Sequence, residues 1–228
     1  NLGERYSKDD KVRRFASEGC RPRLPWAMAL PKFKKDPALI IPVLEKLKND
    51  ESDFVRRSVA NNLNDISKDN PESVLDICEG WYGQSKHTAE IVKHACRTML
   101  KAGNKRALKI FGYSNPANIE AVDFQFDKEK IPIGEDIRFS FDLIVNEKKK
   151  VKVRLEYAVY FMKANGKLSK KVFKLSEKEY APGTHGISKK HSFADMSTRR
   201  HYPGEQRISI IVNGEEKNKA SLELKPHT

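Results

Sequence analysis

The hydrophobic residues of this chain repeat with one period in its first half and with another in its second, and this change constrains the fold most. Up to residue 112 they recur every three to four positions, which predicts amphipathic helices. From residue 117 they alternate with polar residues, which predicts half-buried strands. The turn-rich segment GYSNPAN, which starts at Gly112, separates the two patterns. We therefore predict a multidomain α-then-β chain, with a helical unit over 1–112 and a β unit over 117–228.

The apolar pattern of the first half predicts helices over 8–19, 37–49, 53–67, from Asn70-Pro71 onward, and over 87–101. In the second of these, Asp36 before Pro37 fits an N-cap followed by proline at the first helical position. Its predicted apolar face consists of Leu39, Ile40, Val43, Leu44 and Leu47. The predicted inward face of 53–67 consists of Val55, Val59, Asn62, Leu63 and Ile66.

The predicted helices contain an internal repeat. The sequence Val12-Arg13-Arg14 returns as Val55-Arg56-Arg57, 43 positions later. Helix pairs that recur at about 35–45 residues are typical of a HEAT-like α-helical repeat solenoid. Residues 8–19 fit the second helix of a pair, so we expect further repeats before Asn1.

The second half contains segments of alternating polarity separated by turn signals such as Asn165-Gly166. These segments predict seven strands, over 119–126, 136–145, 151–163, 168–177, 191–195, 206–214 and 219–225. Seven short strands in about 110 residues favour an immunoglobulin-like β-sandwich.

The chain carries a formal net charge of +13, shared by both halves. A basic surface favours a polyanionic partner, because phosphate contacts release counterions; the alternative is that the charge only keeps the protein in solution. No apolar run reaches the ~20 residues of a membrane span, so we expect no membrane association. The three cysteines have no metal-like spacing and fit a reducing cytoplasm.

A first candidate cluster is Ser17-Glu18-Gly19-Cys20-Arg21-Pro22-Arg23-Leu24-Pro25-Trp26. Its two prolines predict a rigid connector that presents Arg21, Arg23 and Trp26 beside a helix end carrying Glu18. An aromatic ring near a carboxylate can pack on a sugar or base and enclose a cation. The alternative is that Trp26 belongs to the core between repeats and that Glu18 is a solvated acid.

A second candidate cluster is a polar stripe on the helix over 53–67, formed by Arg57, Asn61, Asn64, Asp65 and Lys68. Asparagine is a poor choice inside a helix, which favours a functional surface. The alternative is an ordinary solvated face. The 43-residue offset places Arg14 and Glu18 at the positions of Arg57 and Asn61, so the two clusters occupy equivalent faces of successive repeats.

A third, weaker cluster enriches the last helical pair in basic residues, among them His94 and Arg106. These residues fit phosphate contacts, although we favour a structural role for His94. The sequence contains no glycine-rich phosphate loop and no cysteine–histidine metal array, so chemistry without a cofactor or metal fits best.

Two long motifs of this sequence resemble the AlkC-type branch of the AlkC/AlkD bacterial alkylpurine DNA glycosylases. They are S-E-G-x-R-P-R-L-P-W, from Ser17 to Trp26, and V-R-R-S-V-A-N-N-L-N-D-I-x-K-D, from Val55 to Asp69. The resemblance implies HEAT-like repeats followed by an immunoglobulin-like domain. It also implies hydrolysis of the N-glycosidic bond of cationic alkylated bases, of the 3-methyladenine and 3-methylcytosine type, in double-stranded DNA without full base flipping.

On this resemblance we expect a monofunctional glycosylase whose catalytic residues are Glu18, Trp26 and Asp65, with Trp26 packed against the lesion sugar. Carboxylates at that position stabilise an oxocarbenium-like sugar and orient water. We expect DNA-backbone or site-ordering contacts from Arg14, Arg21, Arg23, Arg57, Asn61 and Lys68. We also expect a monomer without a cofactor. The competing hypothesis is a HEAT-plus-sandwich scaffold that binds DNA or a protein without excising a base.

Overall fold

The computed structural model describes residues 7–196 and 200–226. The chain divides into two compact units, Asn1–Ile110 and Phe111–Thr228. The first unit is helical and the second consists of strands, so the predicted fold class is confirmed. None of the described helices is long and apolar enough to cross a bilayer.

The described part of the first unit contains helices α1 Asp10–Glu18, α2 Pro31–Lys35, α3 Ile41–Leu47, α4 Asp53–Ile66, α5 Pro71–Trp81, α6 Lys86–Ala95, α7 Arg97–Lys101 and α8 Lys105–Ile110. Helix α4 lies at its centre and packs against α1, α3, α5 and α6. The predicted inward residues of α4 are all buried, with Val55, Val59 and Leu63 fully so. The helical period therefore located the core of this unit correctly.

The prediction of one helix over 37–49 is wrong at its start. Helix α3 begins at Ile41, because residues 38–40 form a turn in which the Asp36 carboxylate accepts a hydrogen bond from the Ala38 amide. Leu39 belongs to this turn and is 76% exposed, so it does not join the apolar face. Its four predicted companions are buried.

The predicted helix over 87–101 is two helices, α6 and α7. They are separated at Cys96, whose ψ of −3° departs from the regular α-helical value. At this break the Ala95 carbonyl accepts a hydrogen bond from Asn64 Nδ2, at 2.8 Å. A side chain of α4 thus satisfies a carbonyl at the interruption.

The described part of the second unit contains strands β1 Ile119–Phe126, β2 Lys130–Pro132, β3 Asp136–Val145, β4 Val151–Met162, β5 Leu168–Tyr180, β6 Gly183–Ser192, β7 Gly204–Val212 and β8 Glu215–Lys225. They form a three-stranded sheet in the order β1-β3-β6 and a five-stranded sheet in the order β2-β8-β7-β4-β5. Residues of both sheets, among them Phe139, Tyr157 and Ile208, form one apolar core, which Phe193 joins from just beyond the end of β6.

Two strands differ from the prediction. Of the strand expected over 191–195, only His191 and Ser192 lie in a strand, as the end of β6, which pairs with β3 from Gly183 to Ser192. Its sequence GTHGISKKHS shows no apolar alternation, because β6 is the outer strand of its sheet and is mostly exposed. Strand β2 was not predicted, because it is too short to show a period-two pattern. It pairs in parallel with β8.

The turn between β7 and β8 is held by Asn213, which is 1% exposed and has a φ of 46°. Its Oδ1 accepts a hydrogen bond from the Arg154 amide at 2.7 Å, and its Nδ2 donates to the Ser114 carbonyl at 2.8 Å. We expect Asn213→Ala to lower the free energy of unfolding of this unit by about 2–4 kcal/mol, because it removes the partner of the buried Arg154 amide and of the half-buried Ser114 carbonyl and forces alanine to a positive φ.

The measurement is urea denaturation followed by far-UV circular dichroism. Fluorescence of Trp26 and Trp81, which both lie in the helical unit, reports separately on that unit. The control is Asn165→Ala in the exposed β4–β5 turn, where the side chain accepts only from the nearby Lys167 amide. Equal losses in the two variants would contradict this account of the turn.

Candidate active site

Two carboxylates on neighbouring helices share one arginine. Glu18 ends α1, and Asp65 lies in the last turn of α4. The Arg21 guanidinium lies between them, with Nη1 donating to Glu18 Oε1 and Nε donating to Asp65 Oδ2 at 2.8 Å. Arg21 is 8% exposed, and burial opposes its charge, yet the hydrogen bonds to both acids raise its pKa. It is therefore a permanent cation that joins the two acids.

Two further cations complete what we call the carboxylate network, defined as Arg14, Glu18, Arg21, Asp65 and Lys68. Arg14 Nη2 lies 3.2 Å from Glu18 Oε2, and Lys68 Nζ lies 2.9 Å from Asp65 Oδ1. The side chains of Lys68 and Glu18 are 39% and 23% exposed, whereas that of Asp65 is 5% exposed. The network therefore reaches the surface through Lys68 and Glu18.

Hydroxyl and amide groups support Glu18 from within the unit. Ser58 Oγ donates to Glu18 Oε2 at 2.7 Å and accepts from Ser17 Oγ at 2.7 Å. Asn62, which is fully buried, donates from Nδ2 to the Ser17 carbonyl at 2.8 Å. Ser17 belongs to the first candidate cluster, whereas Ser58 and Asn62 were not predicted as part of the site. The one signal in the sequence was an asparagine on the apolar face of α4.

Trp26 is presented on a loop, residues 22–30, that we call the Trp26 loop. The Leu30 amide donates to the Pro22 carbonyl at 3.0 Å and closes the loop, while the Ala27 amide donates to the Leu24 carbonyl at 3.3 Å. Pro25 and Trp26 are thus the central residues of a β-turn. Trp26 has a φ of 56°, at a position where type II turns usually contain glycine.

The ring of Trp26 is fully exposed, at 105% of its reference area. This excludes the alternative that Trp26 belongs to the core between repeats. A bulky residue at positive φ costs on the order of 1–3 kcal/mol and persists only where the surrounding structure imposes it. Met28, in the same loop, is also exposed. The loop therefore presents an apolar tip at the surface.

Arg23 is paired with an acid that was not predicted as a site residue. Its Nε and Nη2 donate to Asp69 Oδ2 and Oδ1 at 2.9 and 2.7 Å. The hydrogen bonds from Arg23 lower the pKa of Asp69. Arg21 and Arg23, which flank Pro22, thus both bind acids at the end of α4 and just beyond it.

The remaining predicted residues have their described polar contacts with groups outside the carboxylate network. Arg57 is largely exposed and pairs with Asp53 on its own helix, at 2.7 Å. Asn61 Oδ1 lies 2.8 Å from His94 Nε2. Asn64 does not belong to an exposed stripe, since it is 2% exposed and bonds to α6 and the residues that follow it.

Arg106 was expected in a basic surface for phosphates. It binds three acids of α5 instead, Glu72, Asp76 and Glu79. These contacts join α8 to α5 and occupy the guanidinium. Arg106 therefore has a structural environment within the helical unit.

Known proteins share this architecture. Residues 120–226 match the family described as the C-terminal Ig-like domain of the uncharacterised protein YhaZ. YhaZ of Bacillus subtilis, itself uncharacterised, is 46% identical over 218 residues, which are 95% of this chain and 60% of YhaZ. The alkylpurine DNA glycosylase AlkC of Pseudomonas fluorescens, solved bound to DNA with an abasic-site analogue, is 40% identical. Its TM-score is 0.92 over 98% of this chain and 62% of AlkC.

The chain thus shares the fold of AlkC over almost its whole length. The resemblance indicated by the two motifs is confirmed by the 40% identity to AlkC over 98% of this chain, although the chain corresponds to only 62% of AlkC and 60% of YhaZ. It spans less than two thirds of the length of either relative.

The burial of His94, the partner of Asn61, predicts how the stability of the helical unit depends on pH. Burial lowers the pKa of His94, and the charges of Arg97, Arg21 and Arg57 lower it further. Below about pH 6.5, His94 is therefore protonated more readily in the unfolded chain than in the folded chain. The free energy of unfolding consequently falls as the pH drops through that range. We expect His94→Gln to reduce this loss between about pH 7 and pH 5.

The measurement is urea denaturation followed by tryptophan fluorescence across this pH range. His87→Gln, on the same helix, is the matched control and should retain the pH dependence of the unaltered chain. If the His94→Gln chain loses as much stability on acidification as the control, His94 is not the titrating group.

Proposed function

We propose that this chain is the part of a DNA repair glycosylase that binds the lesion and hydrolyses the N-glycosidic bond of cationic alkylated bases in duplex DNA. Similarity to AlkC over 98% of the chain supports the activity. The carboxylate network, together with the exposed ring of Trp26, supports a site for positive charge. We further propose that the protein acts as a monomer, without a cofactor, and without turning the base fully out of the duplex.

The proposed reaction needs little help from a general acid. Alkylation leaves the base positively charged, so the base departs with the electron pair of the glycosidic bond and becomes neutral. Water adds to the sugar carbon and loses a proton to a carboxylate or to solvent. The positive charge that develops on the sugar is stabilised by a carboxylate, for which we propose Glu18 and Asp65. Trp26 packs against the sugar and excludes water from one side.

In this proposal, the phosphates of DNA change the charge balance of the carboxylate network by competing for its cations. The network contains three cations and two carboxylates, so its acids are neutralised in the free protein. Lys68 is the more exposed partner of Asp65 and is bound to it through one oxygen. Phosphates that draw both Lys68 and Arg14 away would leave Arg21 as one cation against two carboxylates, so that the network gains a net negative charge beside the lesion. Arg57 and Arg14 are proposed as further phosphate contacts, with Asn61 ordering the site through His94.

The observation that carries the proposal is the sharing of Arg21 by Glu18 and Asp65. It holds two acids, distant in sequence, in one place beside the Trp26 loop. The alternative, a DNA-binding scaffold without excision, is favoured by a different observation: both oxygens of Asp65 already have partners and the side chain is 5% exposed.

We expect Glu18→Gln and Asp65→Asn each to lower the single-turnover rate of base release by about 100–1,000-fold, since each removes a charge that acts in the transition state. Both replacements keep the side-chain shape and an oxygen that accepts from Arg21. The assay is release of methylated base from alkylated duplex DNA by the natural full-length chain. Trp26→Ala should lower the rate as well.

The matched control is Glu51→Gln, which removes one charge from a side chain that is 90% exposed. Its rate should equal that of the unaltered protein. If the unaltered protein binds alkylated DNA but releases no base, the glycosylase proposal fails and the scaffold remains.

A further inference from the structure

The Trp26 loop needs something outside itself to hold its conformation. Trp26 occupies a positive-φ position with a fully exposed ring, so packing of the ring cannot fix the turn. The hydrogen bonds from the Leu30 and Ala27 amides lie within the loop. They shape the loop but do not attach it to the helices. The attachment near its start comes from the arginines on either side of Pro22.

These two attachments are not equivalent. Arg21 binds Asp65 and is part of the carboxylate network already described. Arg23 binds Asp69, which follows α4, through two parallel hydrogen bonds. Its side chain is 37% exposed and that of Asp69 is 22% exposed, so the pair lies at the surface. The Asp69 amide donates to the Ile66 carbonyl and fixes the acid to the end of the helix.

We propose that Arg23 and Asp69 are positioning residues for the excision reaction. They hold the Trp26 loop at the angle at which the indole meets the lesion, and Arg23 does not act as a phosphate contact. This inference rests on the proposed function. The two-point geometry supports it, because Nε and Nη2 are both committed to one carboxylate in an arrangement that only arginine can form. A paired arginine also contributes little net charge toward DNA.

Positioning and phosphate contact predict opposite results for two variants. Arg23→Lys keeps the positive charge but loses the parallel hydrogen bonds, so it impairs positioning and spares a phosphate contact. Asp69→Asn frees the Arg23 charge, so it impairs positioning but strengthens a phosphate contact. The two substitutions act on one interaction, and the effect of the double variant should equal that of either single variant.

The first measurement is single-turnover base release by the natural full-length chain, with DNA affinity measured at several salt concentrations. We expect Arg23→Lys and Asp69→Asn each to lower the rate by about 10-fold, since small misplacements of a reacting group are costly. The salt dependence of DNA affinity should not change in either variant. The matched control is Asp76→Asn, which removes one acid from another arginine pair of the helical unit and should keep the full rate.

The second measurement does not depend on activity. The heteronuclear nitrogen NOE of the Trp26 indole N–H reports motion of the loop, and buried Trp81 is the internal reference. It should fall in Arg23→Lys and Asp69→Asn while that of Trp81 stays constant. If the Trp26 NOE falls in both variants but the unaltered protein releases no base, the proposed function fails while the attachment of the loop by Arg23 and Asp69 stands.

Two results would overturn the inference. A full rate for Arg23→Lys, together with tighter DNA binding by Asp69→Asn, would make Arg23 a phosphate contact. An unchanged Trp26 NOE in both variants would show that the pair does not hold the loop.

Discussion

The helical unit depends on one buried charge, the guanidinium of Arg21. An arginine removed from water is tolerated only when its donors are fully paired, and loss of one partner is strongly destabilising. Here the partners come from two helices, Glu18 at the end of α1 and Asp65 in α4. The spacing of these helices, the direction in which the chain leaves α1 and the start of the Trp26 loop all follow from that pairing. Because the same pairing gathers the two acids, stability and the candidate site have a common origin.

The sequence of helix α4 shows that this arrangement requires residues that do not favour a helix. Its last turns contain Asn61, Asn62, Asn64 and Asp65, all of which have low helix propensity. Three of the four are buried, and each of these three binds a group outside α4 that is distant in sequence. Asn62 binds the end of α1, and Asn64 binds the break between α6 and α7. The polar residues therefore join successive repeats at fixed distances, which apolar packing alone would not specify.

The sequence predicted the helix-then-sandwich order, the core face of α4 and the hairpin strands, because hydrophobic periods are local properties. It failed where a tertiary contact decides. Strand β6 carries no apolar alternation and exists through pairing with β3. The break at Cys96 accompanies the bond from Asn64 to the Ala95 carbonyl. For the site, the motifs named Glu18, Arg21 and Asp65 but gave no distances. Nothing in the spacing showed that Arg21 would be buried between acids or that Asp69 would pair with Arg23. The roles of all these residues in catalysis stay predictions.

Two carboxylates gathered in one place create an electrostatic conflict that the other charges of the carboxylate network resolve. Two uncompensated acids held close together would repel, and one would take up a proton. Arg21 prevents this and has a raised pKa, so it remains charged throughout the accessible pH range. If both carboxylates stayed fully neutralised, however, the network would not attract a cation. The unequal exposure of the partners supplies the answer: Arg21 is buried and permanent, whereas Lys68 is exposed and bound to Asp65 through one oxygen. A polyanion at the surface competes for Lys68 but not for Arg21. The acids thus stay together whether or not Lys68 is paired with Asp65, and the network holds one cation against two carboxylates once both Lys68 and Arg14 are engaged elsewhere.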